Sequence, residues 1–198
     1  MLLNLKKDIK RKLVSNSLVS NITEKLYSES GINITLKSLI SKRLIQKDKI
    51  KVIYDIGCHK GEWTDDIKTI LPKSRIYQFD AVDYPKNTYD NVIFHKICLG
   101  DKNQTSTFYK RSESGDSLFK EKGDLYSDKN KVKIKVNRLD DFLSQGNIEP
   151  PDYLKIDAQG AELIILNGGI NTIKNTKFIQ LEVSYIEYNE GGCLFEDV

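Results

Sequence analysis

The 198-residue sequence lacks the features that define several specialised classes of protein. Its three cysteines, Cys58, Cys98 and Cys193, are scattered and form no Cys-x-x-Cys pair. A disulfide framework or a zinc site is therefore not expected, and a reducing, cytoplasmic location fits better. No apolar run approaches about 18 residues, so we expect no transmembrane helix. Because 31 basic residues are nearly matched by 28 acidic ones, the net charge of +3 does not predict a nucleic-acid partner.

Residues 1–48 are predicted to form an N-terminal helical appendage. Apolar residues four or five positions apart predict short amphipathic helices at Leu5, Ile9, Leu13, Leu18, Ile22 and Leu26. Leu36, Leu39, Ile40 and Leu44 predict another helix, and the polar stretch Gln46–Lys49 predicts the boundary with a main domain at residues 49–198. The basic cluster at 6–12 has no apolar core of a secretory signal and is typical of a solvated helix face. Contact of this cluster with an anionic membrane surface or an acidic glycan stays open.

From Ile50 onward, predicted strands alternate with predicted helices. The strands are Val52–Ile56, Arg75–Ala81, Val92–Leu99, Asp152–Asp157 and Phe178–Val183. The helices are Glu62–Leu71 stopped by Pro72, Leu139–Leu143, and Ala161–Leu166 ended by Gly168 and Gly169, with a short turn or helix at Pro85–Tyr89. This order predicts an α/β fold with a Rossmann-like, doubly wound and mostly parallel sheet.

The middle of the chain departs from this alternation. Thr105–Lys110 is β-prone, and Lys131–Val136 alternates lysine with apolar residues, which is typical of a half-exposed, lysine-guarded edge strand. The polar segment Ser112–Asn130 between them is predicted to be a loop.

Acidic residues end four of the predicted strands: Asp55, Asp80, Asp157 and Glu182. In a doubly wound sheet the carboxyl ends of the strands line the ligand crevice. Each acid alone could be a helix cap or a solvated loop residue. Four at equivalent positions indicate a binding site.

The turn after the first strand narrows the choice of ligand. Asp55-x-Gly57-x-His59-x-Gly61 has a histidine where a dinucleotide fingerprint would have its middle glycine, and Asp55 would repel a phosphate. S-adenosylmethionine carries a sulfonium, an ammonium and a ribose diol, all of which suit carboxylates. Asp80 lies near the usual distance for an acid that binds ribose hydroxyls. A nucleotide-dependent oxidoreductase or epimerase remains the alternative.

Several segments resemble the FkbM-type S-adenosylmethionine-dependent methyltransferases. They are Asp55–Gly61, Leu139–Phe142, Leu154–Glu162, Gln180–Glu182 and Tyr188–Gly191. The string Ile-Asp-Ala-Gln-Gly-Ala-Glu within the third segment is the most specific. The resemblance implies a methyltransferase sheet and O-methylation of a hydroxyl on a sugar or small molecule.

The resemblance also implies roles for particular residues. Cofactor contacts would come from Asp55, Gly57, Cys58, His59, Gly61, Asp80 and Asp101. Asp80 departs from the family, which more often has Glu followed by Pro. The segment Ser114–Ser117 resembles a family loop that closes near the pocket. Related chains usually continue into another helix and strand pair, so we expect a truncated C-terminal edge, and a degenerate cofactor-binding module remains an alternative.

A sugar hydroxyl is a weak nucleophile, so a general base is expected. Asp157 is the candidate base, because it ends a central strand beside the cofactor position. Glu182 could be a base, a substrate contact or a member of the polar network. Glu162 is expected to be structural and His95 to be a core or edge residue. No His, Asp or Glu grouping has metal-ligand spacing, so no metal is expected.

Overall fold

The computed structural model describes residues 42–111, 115–122 and 130–198, together with Leu36, Leu39 and Ile40. The chain divides into two compact units, Met1–Lys47 and Asp48–Val198. The amphipathic helices predicted between residues 5 and 26, the basic cluster at 6–12 and Ser114 lie outside the described residues.

In the first unit Leu36, Leu39 and Ile40 are helical, as predicted. The helix does not include Leu44, because Arg43 adopts a left-handed conformation with φ of +58°. Leu44 is 65% exposed, so its predicted place on the apolar face of the helix is wrong.

The second unit contains a five-stranded parallel sheet and a three-stranded sheet. The strands are β1 Val52–Ile56, β2 Arg75–Asp80, β3 Val92–Lys96, β4 Cys98–Gly100, β5 Gln104–Tyr109, β6 Lys131–Arg138, β7 Tyr153–Ile156 and β8 Phe178–Leu181. The helices are α1 Glu62–Ile70, α2 Leu139–Gly146, α3 Glu162–Gly168 and α4 Ile170–Asn175, with 3-10 turns at Lys47–Lys49 and Phe195–Asp197. None of these described helices is long and apolar enough to cross a membrane.

The larger sheet has the order β3-β2-β1-β7-β8, and every pairing in it is parallel. The chain runs outward from β1 to β3 and then returns to the other side of β1. This reversal between β1 and β7 creates the crevice at which doubly wound sheets bind ligands. The predicted Rossmann-like fold class is confirmed.

The two faces of this sheet differ in chemistry. Side chains from alternate positions of β1, β2 and β7 build the apolar core: Tyr54, Ile56, Tyr77, Phe79, Leu154 and Ile156. These pack against Leu139 and Leu143 of α2 and Ile165 of α3. The opposite face carries α1, whose Trp63 stacks on Tyr153 of β7. Helices therefore cover both faces.

The prediction of one strand over Val92–Leu99 is wrong, because the structure has two strands there, β3 and β4, which belong to different sheets. The chain breaks at Ile97, whose N–H donates to the Asp80 carbonyl at 2.7 Å, and β4 then pairs with β6 instead of continuing along β2. β6 is the middle strand in the order β4-β6-β5. Only Val136–Arg138 pairs with β4, whereas pairing with β5 extends over Lys131–Val136. Within the described chain, the lysine-bearing part is therefore an edge, as predicted, and the rest of β6 is not.

Two further predictions differ from the structure. Residues 85–89 form irregular chain and not a short turn or helix. The helix ended by Gly168 and Gly169 is followed at once by α4, which the sequence pattern did not predict. Gly168 is required there, because a Cβ would lie 2.0 Å from the Gly100 carbonyl oxygen.

Candidate active site

A row of polar side chains crosses the α1 face of the large sheet. Gln78, Asp55, Lys155 and Gln180 are register partners on β2, β1, β7 and β8. Asp55 is fully buried, and Gln78 and Lys155 are 1% and 2% exposed. Two residues further along each strand, on the same face, stand Asp80, Gly57, Asp157 and Glu182. The second row lies at the carboxyl ends of the strands, where the ligand crevice opens.

Asp55 and Lys155 form a buried ion pair at the centre of the first row. The Lys155 Nζ lies 3.1 Å from Asp55 Oδ1 and 3.5 Å from Asp157 Oδ2, and it donates to the Gly57 carbonyl at 3.1 Å. Thr64 of α1 donates to Asp55 Oδ2 at 2.8 Å. Burial alone would lower the pKa of Lys155, but the charges of Asp55 and Asp157 outweigh it and the pKa is raised. Lys155 is therefore cationic at neutral pH.

The glycine turn starts directly after β1. Gly57 has φ of +74°, and a Cβ there would lie 1.7 Å from the Asp157 carbonyl oxygen. Its N–H donates to the Phe79 carbonyl at 2.9 Å. Gly61 ends the turn with φ of +84° and precedes α1. Only glycine allows β1, β2 and β7 to approach this closely at their carboxyl ends.

Asp80 fastens this turn to β2. Its Oδ2 accepts the His59 N–H at 2.8 Å, and its Oδ1 accepts the Val82 N–H at 2.9 Å. Burial raises the pKa of Asp80, and the two backbone hydrogen bonds oppose that effect. Because each carboxylate oxygen accepts one hydrogen bond here, each keeps a lone pair for a ligand hydroxyl.

Tyr84 and Asp116 extend the Asp80 cluster. Asp116 lies in the loop predicted to close near the pocket, whereas Tyr84 was not predicted from the sequence. The Tyr84 hydroxyl donates to Asp116 Oδ2, and the His59 ring lies 4.5 Å from the Tyr84 ring. Burial and the Asp116 hydrogen bond raise the pKa of Tyr84. Residues from three separate loops thus meet beside the end of β2. No spacing in the sequence connects them.

Asp157 and Glu182 form a pair of carboxyl groups at the ends of β7 and β8. The Glu182 N–H donates to the Ile156 carbonyl at 3.0 Å, which continues the register of the two strands. Removal of water, the charge of Asp157 and a hydrogen bond with Asp157 together raise the pKa of Glu182 to about 7, against the lowering effect of Lys155. Near neutral pH Glu182 can therefore take up or release a proton.

Glu182 also lines an open, polar pocket of about 180 Å³. Its walls include Gln159 and Gly160 from the β7–α3 turn and Ser184, Glu187 and Asn189 from the segment after β8. Amide, hydroxyl and carboxylate groups suit a ligand rich in hydroxyls.

The turn beside this pocket is held from two sides. Glu162 is 1% exposed and its Oε1 accepts the N–H groups of Ala158 and Gly160 at 2.8 and 3.3 Å, which confirms its predicted structural role. Ser117 donates to the Gln159 carbonyl at 2.8 Å, as expected of a loop that closes near the pocket.

Comparison with models of protein families identifies the family to which the chain belongs. The model described as the methyltransferase FkbM domain matches residues 55–198, nearly three quarters of the chain. The chain belongs to the FkbM methyltransferase family. The resemblance inferred from Asp55–Gly61 and Leu154–Glu162 is confirmed.

Two curated methyltransferases are similar to this chain. The 2-O-methyltransferase NoeI of Sinorhizobium fredii is 28% identical over 160 residues, which cover 71% of this chain and 66% of NoeI. Methyltransferase 1 of Beauveria bassiana is 27% identical over 142 residues, covering 59% of this chain and 57% of that protein. The chain thus spans less than two thirds of the length of either relative. A crystal structure of methyltransferase FkbM from Methylobacillus flagellatus matches 68% of this chain and 33% of that one, with 13% identity and a TM-score of 0.44.

The site residues predicted for this FkbM protein fall into three groups. Gly57, His59, Gly61, Asp80, Asp157 and Glu182 meet at the carboxyl ends of the strands. Asp55 and Cys58 are buried behind them; burial and the nearby carboxylates Asp55 and Asp80 raise the pKa of Cys58. Asp101 follows β4 in the smaller sheet, where Lys102 Nζ is 3.8 Å away, and no contact described for it joins it to the other site residues.

Other predicted residues have clear structural surroundings. His95 lies on the edge strand β3, between Phe79 and Phe142. This confirms the interpretation of His95 as a core or edge residue. Among the residues that the structure describes, no group of three or more His, Cys, Asp or Glu side chains is arranged so that it could hold a metal ion.

Proposed function

We propose that the protein is an S-adenosylmethionine-dependent O-methyltransferase acting on a hydroxyl of a sugar or a related small molecule. Residues 49–198 would be the methyltransferase domain and residues 1–48 an N-terminal extension. The observation that carries the proposal is the position of the Asp157 and Glu182 carboxyl groups between the glycine turn and a polar pocket that Glu182 lines. Burial and the neighbouring Asp157 raise the pKa of Glu182 to about 7. A base that titrates near neutral pH is suited to removing a proton from a hydroxyl.

The residues beside the glycine turn fit S-adenosylmethionine. Asp80 has one lone pair free on each oxygen for the ribose diol. Gly57 and Gly61 allow a close approach of a ligand to the backbone, and the His59 and Tyr84 rings offer apolar surface beside it. Asp157 supplies negative charge suited to the ammonium or sulfonium. Asp55 would contribute indirectly, through Lys155 and Thr64, because it is fully buried.

The acceptor would occupy the pocket lined by Glu182, Ser184 and Asn189. When bound, S-adenosylmethionine supplies a methyl group on a sulfonium centre, an electrophile with a neutral leaving group. Glu182, in its ionised form, accepts the proton of the acceptor hydroxyl, and the hydrogen bond with Asp157 stabilises the proton there. Holding the hydroxyl in one orientation supplies much of the remaining acceleration.

The similarity to NoeI supports oxygen as the acceptor atom, because that relative is a 2-O-methyltransferase. The amide and hydroxyl groups of the pocket support a polyhydroxylated acceptor. A cytoplasmic location is part of the proposal and is supported by the three free, buried cysteines.

Calorimetry followed by a transfer assay tests the proposal. S-adenosylmethionine and S-adenosylhomocysteine should both bind to the protein, whereas NAD should not. Radiolabelled methyl groups should then appear on the oxygen of at least one compound among neutral methyl glycosides, amino sugars, uronic acids and simple phenols. Glu182→Gln should keep cofactor binding and lose transfer. Binding of NAD alone, or cofactor binding without transfer to any of these acceptors, would contradict the assignment.

A further inference from the structure

We propose that Lys155 is a positioning residue that sets the proton affinity of the Asp157–Glu182 pair. This role rests on the proposed function, in which that pair receives the proton of the acceptor hydroxyl. Lys155 itself would touch neither cofactor nor acceptor, because it is 2% exposed beneath the row of groups that line the crevice.

The position of the Lys155 ammonium is fixed from several directions. It lies 3.1 Å from Asp55 Oδ1, 3.1 Å from the Gly57 carbonyl oxygen and 3.5 Å from Asp157 Oδ2. The Trp63 ring covers it, with the ring centroid 5.9 Å from Nζ. One cation thus joins the ion pair inside the sheet to the glycine turn and to the carboxyl pair at the rim.

The balance of charge around this cation has a direct chemical consequence. Lys155 faces three carboxyl groups, Asp55 of β1, Asp157 after β7 and Glu182 after β8. In the part of the chain that the structure describes, Lys155 is the cation that pairs with Asp55 and Asp157. Asp55 is fully buried and takes the closest contact. The remaining acids, Asp157 and Glu182, are neighbours at the ends of β7 and β8, and the charge of Asp157 helps to raise the pKa of Glu182 to about 7.

Other charged groups also face the pair. Glu162 of α3 raises the pKa of Glu182, as Asp157 does, whereas Lys155 lowers it. Arg111, Glu121 and Glu187 line the same pocket; Arg111 is paired with Glu121 at 2.7 Å, and Glu187 is paired with Lys122. Among the described residues near the pair, Lys155 is the buried cation that opposes the acids. Removing its charge should therefore leave the pair protonated at neutral pH.

Two substitutions should change the pKa of the Asp157–Glu182 pair in opposite directions. Asp55→Asn removes a negative charge beside Lys155 and keeps an oxygen that can accept from Thr64, so the pKa of the pair should fall. Adding Lys155→Met to Asp55→Asn removes the cation without leaving an isolated buried charge, so the pKa should rise by roughly 1 to 3 units relative to Asp55→Asn. The double variant also guards against the failure to fold expected of Lys155→Met alone.

Carbon-13 NMR of protein labelled at Glu and Asp carboxyl carbons measures these shifts without any need for activity. The Glu182 signal is assigned by its loss in Glu182→Gln. In an active enzyme, the pKa of the acid limb of the kcat–pH profile should follow the pKa measured by NMR. It should fall from the wild type to Asp55→Asn and rise from Asp55→Asn to the double variant. A titration of Glu182 that is unchanged by either step, or that moves in the same direction in both, would overturn the role of Lys155. Because the titration does not depend on methyl transfer, a failed search for an acceptor would refute only the proposed function.

Discussion

Gly57 and Asp157 approach so closely that a Cβ on Gly57 would lie 1.7 Å from the Asp157 carbonyl oxygen. The contact joins the glycine turn after β1 to the end of β7, the two strands between which the sheet order reverses. The backbone at this point is therefore fixed by the same contact that brings the turn beside the Asp157–Glu182 pair.

Substituting Gly57 with alanine should strongly destabilise the fold. The new Cβ would collide with backbone, and φ of +74° is a conformation that costs a non-glycine residue about 1–2 kcal/mol. Gly191 is the matched control, because it also has φ of +74° but its nearest neighbour would be 3.9 Å from a Cβ. Urea unfolding should show a loss of stability in Gly191→Ala of about 1–2 kcal/mol and a clearly larger loss in Gly57→Ala. Equal losses of stability in the two variants would mean that the close approach of Gly57 to Asp157 does not add to the cost of Gly57→Ala.

The buried ion pair of Asp55 and Lys155 should behave as a unit. Lys155→Met leaves the fully buried Asp55 without its cation, and the expected cost is about 3–5 kcal/mol. The Asp55→Asn/Lys155→Met double variant removes both charges and should be more stable than Lys155→Met alone. A double-mutant cycle based on urea unfolding measures this coupling. Strictly additive losses would show that the two side chains do not stabilise each other.

The strands of the large sheet and their parallel arrangement could be predicted from sequence, because each strand is a short apolar run followed by a turn. Val52–Ile56 is the clearest case, and β1 has the same limits in the structure. The passage of the chain from β3 in the large sheet to β4 in the smaller sheet could not be predicted. It depends on the bend at Ile97 and on the contact of Gly100 with Gly168, which lies far along the chain.

In the candidate site too, features set by one strand could be predicted, whereas features set by contacts between distant segments could not. The acids Asp80, Asp157 and Glu182 could be placed together because each ends a parallel strand. Asp55 lies two residues earlier along its strand and is buried, because the β1–β7 register sets it opposite Lys155. That register links segments about a hundred residues apart, so the pattern within either strand could not indicate it.

Asp140 should stabilise α4 in a pH-dependent manner. Its carboxylate accepts the N–H groups of Asn171 and Thr172 at 2.9 Å each and the Thr172 hydroxyl at 2.7 Å. Burial favours the neutral acid, but these hydrogen bonds outweigh burial and the pKa of Asp140 is lowered. Because the folded pKa is below the unfolded value, this stabilisation is present above about pH 4 and is lost as the pH falls through the folded pKa.

Asp140→Asn should therefore cost about 1 kcal/mol at pH 6 and less at pH 3. Urea unfolding at the two pH values measures the difference. Asp90→Asn, at an exposed position before β3, serves as the control and should change stability little at either pH. A loss in Asp140→Asn that is equal at both pH values would contradict the linkage to the Asp140 carboxylate.

Asp80→Asn should weaken binding of S-adenosylhomocysteine by about tenfold or more. A charged acceptor of hydrogen bonds is lost, and one amide nitrogen would face a backbone N–H of His59 or Val82. Calorimetry measures the affinity, and thermal unfolding of the free protein separates damage to the turn from loss of ligand contacts. Asp83→Asn is the control, because Asp83 lies on the same loop and pairs only with Lys86 among the contacts described for it. Unchanged affinity in Asp80→Asn would show that the ribose contact is wrongly assigned.

Glu182 should determine the acid limb of the pH profile of kcat. Its pKa is raised to about 7, so the ionised base is lost as the pH falls through that value, and kcat should decline with it. Glu182→Gln should lower kcat by about 10²–10⁴-fold and remove the limb, because no proton acceptor remains at that position. Glu149→Gln is a matched control at the opposite end of the sheet, where Glu149 forms an exposed ion pair with Arg75. If the limb persists near pH 7 in Glu182→Gln, the titrating base is another group, and Asp157→Asn becomes the variant that should remove it.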